Sequence, residues 1–182
     1  MKDIAKNHVK DYAKDFVKDY VKEALDRGAE NAVRFSAGDI VFDSRVILKC
    51  IFGCVDYGKL HTCPYQRSPL SMNEYREVFE KYKWGIIIGC KDKITSQEIS
   101  FEIEKMCFFD GYYFVFSLSD CGVCKECAKS VSENCRNPQK ARPAFHSVGI
   151  DIFRTVRNFG LPIEVLKTRD DEQHWYSAVF IE

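Results

Sequence analysis

The sequence predicts an α/β or α+β domain spanning residues 1–182, built as one sheet with flanking helices, two cysteine-rich loops and an N-terminal amphipathic helix. Three observations carry this expectation. Short β-branched or aromatic runs alternate with segments of helical periodicity, the pattern of a sheet with helices packed on it. The length of 182 residues suits one domain, and 46% hydrophobic residues with 14% aromatics supply a core without help from metals or disulfides. Apart from one tetrapeptide run, no repeat, low-complexity linker or shift in composition marks a boundary.

The elements follow in chain order. Residues 8–27 alternate two apolar with two charged positions, as in Tyr12-Ala13-Lys14-Asp15 and Phe16-Val17-Lys18-Asp19. At about 100° per residue a period of four drifts about 40° per repeat, so the apolar stripe winds slowly around a helix. Residues 1–27 are assigned to that helix, and Gly28 supplies its stop. Residues 32–35 and 45–49 read as short strands, and 50–69 as a loop. Ser71 with Glu74 forms a capping box for a helix running to about residue 82. Residues 84–88 form an apolar strand. Thr95 with Glu98 is a second capping box, leading a helix through 109 that Gly111 ends. An aromatic strand covers 112–118, whose rings are core by default. The second cysteine loop, 121–135, turns into a short helix at 126–132. Residues 150–159 read as a helix that Asp151 can cap, closed by Gly160 and Pro162, before strands at 163–166 and 175–181.

Composition excludes several function classes. Lys plus Arg equals Asp plus Glu, 27 each, so no overall basic footprint for nucleic acid or an anionic membrane exists. The acidic residues of the N-terminal repeat match its lysines, which removes the attraction a membrane-surface helix needs. The apolar runs are too short to span a bilayer, and the charged N-terminus is unlike a signal peptide. A cytoplasmic protein is expected. No P-loop, G-x-G-x-x-G, G-x-S-x-G or H-E-x-x-H motif occurs.

Nine cysteines in a cytoplasmic chain call for an explanation other than disulfides. Seven are grouped, which points to metal ligation: Cys50, Cys54 and Cys63, then Cys121, Cys124, Cys127 and Cys135. The second group opens as C-x2-C-x2-C. Three thiolates at this spacing can wrap one corner of a 4Fe–4S cubane, each reaching a different iron, as in a bacterial ferredoxin loop. Zinc prefers two separated C-x2-C pairs, so it is the weaker alternative. The first group is C-x3-C-x8-C ending Cys63-Pro64, with Gly53 and Gly58 allowing backbone N–H groups to turn toward an anionic cluster. Seven thiols do not fill two four-cysteine sites. One or two clusters are expected, with an open or non-cysteine corner, or with Cys90 as an eighth ligand. Cys135 can complete its own group, or Cys63 can complete the 121–127 run. Cys107, amid Met106, Phe108 and Phe109, is expected in the core, and Cys90 more readily there than at a metal.

At these residues the chain resembles the predicted metal-binding proteins of domain of unknown function 2284. The resemblance lies in Leu48-Lys49-Cys50, Gly53-Cys54, Tyr57-Gly58-Lys59, Cys63-Pro64-Tyr65, Gly111-Tyr112-Tyr113, the run from Cys121 to Cys127, Cys135-Arg136-Asn137-Pro138, Ala141-Arg142-Pro143 and Gly149-Ile150-Asp151. It extends over residues 20–155 in the expected order. It departs at Pro64-Tyr65, where the pattern has two prolines. The resemblance implies a cysteine-rich metal protein of anaerobic microbes and carries no reaction with it.

Among the scattered histidines His8, His61, His146 and His174, only His61 lies within a cysteine loop, where a solvated side chain is the plainer expectation than a ligand. Lys59, Arg136 and Arg142 flank the loops and would offset the negative charge of a cluster. The expected function is an iron–sulfur electron-transfer or redox subunit working with a redox partner protein or enzyme complex. The alternatives are an iron–sulfur enzyme or cluster-assembly factor with an open iron, and a structural zinc protein that recruits partners.

Overall fold

The structure, a computed structural model, describes residues 19–63, 70–128, 134–168 and 170–182. The elements are α1 (Tyr20–Asp26), β1 (Asn31–Ser36), α2 (Val46–Gly53), α3 (Met72–Phe79), β2 (Trp84–Cys90), α4 (Lys93–Phe109), β3 (Phe116–Leu118), α5 (Ile152–Asn158) and β4 (Trp175–Ile181). The strands form one antiparallel sheet in the order β1-β2-β4-β3, an α+β architecture. No helix among the described residues is long and apolar enough to cross a membrane.

The central strands explain their own composition. Ile86 and Ile88 face one side, where they meet Val179 and Ile181 of β4, Tyr20 and Ala24 of α1, and Ile99 and Ile103 of α4. Ile87 faces the other side, with Phe35, Phe180, Val148 and Val156. Both faces of the sheet are therefore covered, and β2 reads as an unbroken apolar run instead of an alternating one. Gly85 sits where β2 passes closest to its neighbours. A Cβ there would collide with the Val179 carbonyl and the Phe35 ring.

Local signals held where capping chemistry specifies the start of an element. Ser71 Oγ accepts the Glu74 N–H at 3.4 Å, and Glu74 accepts the Ser71 N–H at 2.7 Å. Asp151 caps α5 by accepting the Arg154 N–H at 3.1 Å. For α4 the cap is Asp92, which accepts the Thr95 N–H at 2.9 Å, so the helix begins at Lys93 and not at Thr95. Within the described residues, the N-terminal helix starts only at Tyr20, because Asp19 has non-helical backbone angles and caps it. The remainder of the repeat lies outside the described residues.

Several expected elements are corrected. Residues 45–49 belong to a helix. Asp43 accepts the Arg45 N–H with its side chain and the Val46 N–H with its carbonyl, which turns the chain into α2 despite β-branched residues. That helix carries Cys50, so the first cysteine loop leaves a helix and not a strand. The helix expected to reach 82 ends at Phe79, followed by single tight turns to Lys81 and Tyr82. The strand expected over 112–118 is confined to Phe116–Leu118, since Tyr112 donates to the Cys107 carbonyl at the end of α4 and Val115 to the Tyr112 carbonyl in the turn that follows. Residues 163–166 form no strand. Ile163 is buried as a core plug, and its carbonyl accepts from Arg157 instead of from a ladder. Residues 126–128 are not helical, and 129–132 lie outside the described residues.

Candidate metal centre

The second cysteine group leaves the sheet after β3 and returns toward it at Pro143, whose carbonyl accepts the Ser119 N–H at 3.0 Å. Between these points two side chains of α4 hold the loop. Gln97 is buried, accepts the Gly122 N–H at 2.6 Å and donates to the Lys140 carbonyl at 3.3 Å. The backbone at Gly122 comes so near the helix that an added Cβ would stand 3.1 Å from Lys93 Cε. One turn pair further along α4, Glu104 accepts from Arg142 Nε at 2.9 Å and Nη2 at 2.5 Å. It also accepts the Ser117 N–H at 2.9 Å and the Ser117 hydroxyl. Arg142 spends its remaining donors on the carbonyls of Gln139 and Ala141, between the rings of Phe101 and Phe116. Arg142, expected as a cation flanking the loop, is thus a buried clamp on the loop's exit with its charge paired to Glu104.

So held, Cys121, Cys124, Cys127 and Cys135 line one cavity of about 50 Å³. One water needs about 10–15 Å³ by such a measure, so the space admits a few water-sized atoms. Leu60, His61 and Thr62 of the first cysteine loop form part of its wall. The two loops therefore meet in space. The side-chain amide of Asn137 donates to Cys124 Sγ at 3.1 Å, a hydrogen bond of the kind that stabilises a thiolate. Outside this cavity, a groove of about 880 Å³ runs between the same loop and the first turns of α4, with Asp56 and Leu60 on its far side.

The first group is built differently. Cys50 is buried under α2, Cys63 is half-buried with its thiol donating to the Asp56 carbonyl at 3.4 Å, and Cys54 is exposed just past the helix end. Burial pushes the Cys50 thiol up to about 11, and the nearby Cys54, Cys63 and Asp120 add to the shift. Burial likewise raises Cys127, with Cys121, Cys124 and Cys135 adding and Arg136 opposing. Each group thus gathers sulfurs that disfavour ionisation of one another. A cation bound among them would reverse this and displace protons.

The donor chemistry fits a soft metal or an iron–sulfur cluster, since thiols dominate both groups. Among the described residues, no three His, Cys, Asp or Glu side chains stand at the spacing required by one ion.

Of the remaining candidates, Cys90 and Cys107 both belong to the core beneath α1 and α4. Burial raises them to about 11 and about 12, and no other cysteine contributes to either shift. His61 is buried at the cavity wall and not solvated. His146 and His174 line a separate surface depression near Trp175, and His8 lies outside the described residues. Lys59 and Arg136 are exposed.

Gln97, Glu104 and Asn137 were missed as parts of the site. A signal existed for the first two. Ser96, Gln97, Ser100 and Glu104 place a polar stripe on the buried side of α4, where a plain amphipathic helix would be apolar. Gln97→Leu, which keeps the volume but loses both tethers, should weaken metal retention by about 10–100-fold in competition with a chelator. Retention equal to the parent would show that Gln97 only fills space.

No curated protein and no solved structure matches the chain. A family model described as a predicted metal-binding protein, DUF2284, matches residues 33–181. The chain therefore belongs to this family of predicted metal-binding proteins, and its thiol-lined cavity lies within the matched region.

Proposed function

We propose that the chain is an iron–sulfur protein that holds a 4Fe–4S cluster on Cys121, Cys124, Cys127 and Cys135 and serves as an electron-transfer or redox subunit. One observation carries this reading: all four thiols line one small cavity, with the Asn137 amide donating to Cys124 sulfur. Such a cluster supplies reversible one-electron chemistry when bound. The chain's own residues do the rest. Gln97 and Arg142 anchor the two ends of the loop, and Asn137 stabilises negative charge on sulfur. All nine cysteines are free, which suits a reducing cytoplasm.

The first group favours a second reading. Cys50, Cys54 and Cys63 are three, and the core placement of Cys90 leaves no eighth thiol to join them. A cluster held there has one corner open, the arrangement expected of an iron–sulfur enzyme or an assembly factor. Purification without oxygen should yield iron and acid-labile sulfide in near-equal amounts, with a visible absorbance band. Stoichiometric zinc without sulfide in that preparation would establish the structural zinc alternative. Protein prepared in air is no test, because zinc occupies vacated thiolates.

A further inference from the structure

The first cysteine group lies beside an exposed apolar surface of α2 and the turn that follows it. Leu48, Ile51, Phe52 and Val55 are 50%, 40%, 84% and 83% exposed. Leu48, Ile51 and Phe52 are spaced i, i+3, i+4 and share one face of α2, and Val55 follows just past the extended C-cap residue Cys54. The opposite side of the same helix buries Cys50, and exposed Cys54 stands between Phe52 and Val55 in the chain. Four contiguous exposed apolar side chains differ from the scattered ones normal on a surface, and mark an interaction site.

The charge at the rim identifies the partner's chemistry. Lys49 rises from α2 itself, and Lys59 donates to the Val55 carbonyl at 2.6 Å, which places its ammonium at the edge of the patch. Neither lysine has a carboxylate partner among the described residues, whereas Arg45 nearby is paired with Asp43. The chain as a whole is balanced at 27 positive and 27 negative side chains, whereas residues 46–63 carry Lys49 and Lys59 against the single carboxylate of Asp56, a local positive excess. A second copy of the chain docked by the same face would set lysines against lysines.

Resting on the electron-transfer reading above, we infer that this face of α2 is the docking site of a small acidic electron-carrier protein, received beside Cys54. An apolar centre within a charged rim is the usual anatomy of an interface, and electron-transfer encounters are small enough for one helix face to serve. The lysines steer the acidic partner, and Phe52 and Val55 anchor it.

The test uses the full chain, anaerobically purified, and a plant-type 2Fe–2S ferredoxin as the acidic probe, titrated by calorimetry. Micromolar binding at low salt is expected, weakening by roughly tenfold or more at high salt. The variants Lys49→Glu/Lys59→Glu and Phe52→Ser/Val55→Ser should each weaken it by about tenfold or more, and Phe52→Ser/Val55→Ser should keep iron and sulfide per chain at the parental level. Absence of binding by the loaded parent, or binding insensitive to both double variants, overturns the inference. So does self-association, or adhesion to anionic vesicles, that Phe52→Ser/Val55→Ser abolishes while ferredoxin binding is absent, because the face then belongs to a second copy or a membrane. Iron and sulfide content reads the cluster assignment separately, so failure of that assignment is distinguishable from failure of the docking site.

Discussion

Cys124→Ser is expected to lose most of the bound iron and the visible absorbance, while Cys107→Ala keeps both. The two positions differ in environment more than in residue type. Cys124 lines the cavity shared with Cys121, Cys127 and Cys135 and receives the Asn137 amide. A serine hydroxyl there is a harder donor and resists deprotonation, so the bond to a soft metal is lost. Cys107 lies fully buried on α4 beside Tyr20 and Ile103. Its replacement by alanine removes one sulfur's worth of packing, a cost of about 1 kcal/mol. Metal analysis and absorbance spectra of the two anaerobically purified variants check this. Equal iron in both would refute the assignment of ligands. Extending the series to Cys50, Cys54 and Cys63 reads the occupancy of the first group, and Cys90→Ala should leave it unchanged.

Arg142→Ala should destabilise the protein by about 3–5 kcal/mol, because it strands a buried carboxylate. Glu104 and Arg142 are 12% and 11% exposed at their side chains, and their bond is two-pronged. Removing the guanidinium leaves Glu104 with only the Ser117 donors, and frees the carbonyls of Gln139 and Ala141 that fix the end of the cysteine loop. Metal retention should therefore fall together with the unfolding midpoint in urea. Replacing both partners, as Glu104→Leu/Arg142→Met, should recover part of the stability, since it removes the uncompensated charge but leaves the buried Ser117 donors without their acceptor. A loss below about 1 kcal/mol for Arg142→Ala would mean that water reaches Glu104 and the clamp is not dry.

Errors in the sequence reading concentrate where local propensity and tertiary demand disagree. Val46, Ile47 and Leu48 favour a strand by composition, yet the Asp43 turn directs them into α2. Tyr112 and Tyr113 likewise look like strand residues, but Tyr112 donates its N–H to the Cys107 carbonyl to close α4, and Tyr113 donates to the Gly111 carbonyl in the turn beyond it. Ile163 behaves as an isolated plug because the preceding proline offers no donor and its carbonyl instead accepts the Tyr176 hydroxyl at 2.5 Å. In each case the backbone conformation followed hydrogen bonds that composition does not record, and the rings of Tyr113 and Phe114, expected in the core, are exposed.

What the sequence by itself determined is what depends on near neighbours along the chain. The Ser71–Glu74 box, the Asp151 cap, the apolar strands at 84–88 and 175–181, and the gathering of thiols at 121–127 are all set within a few residues. The structure alone decided which distant groups meet. Arg142 reaches Glu104 across 38 positions, Gly122 reaches Gln97 across 25, and the wall residues 60–62 come to the Cys121–Cys135 cavity from another loop. It also placed Cys90 in the core, the plainer of its two expectations, and exposed the apolar face of α2. The reason is physical. Caps and periodicity are local interactions that a short segment expresses alone, whereas a buried charge or a shared cavity exists only after two helices and a sheet have excluded water between them.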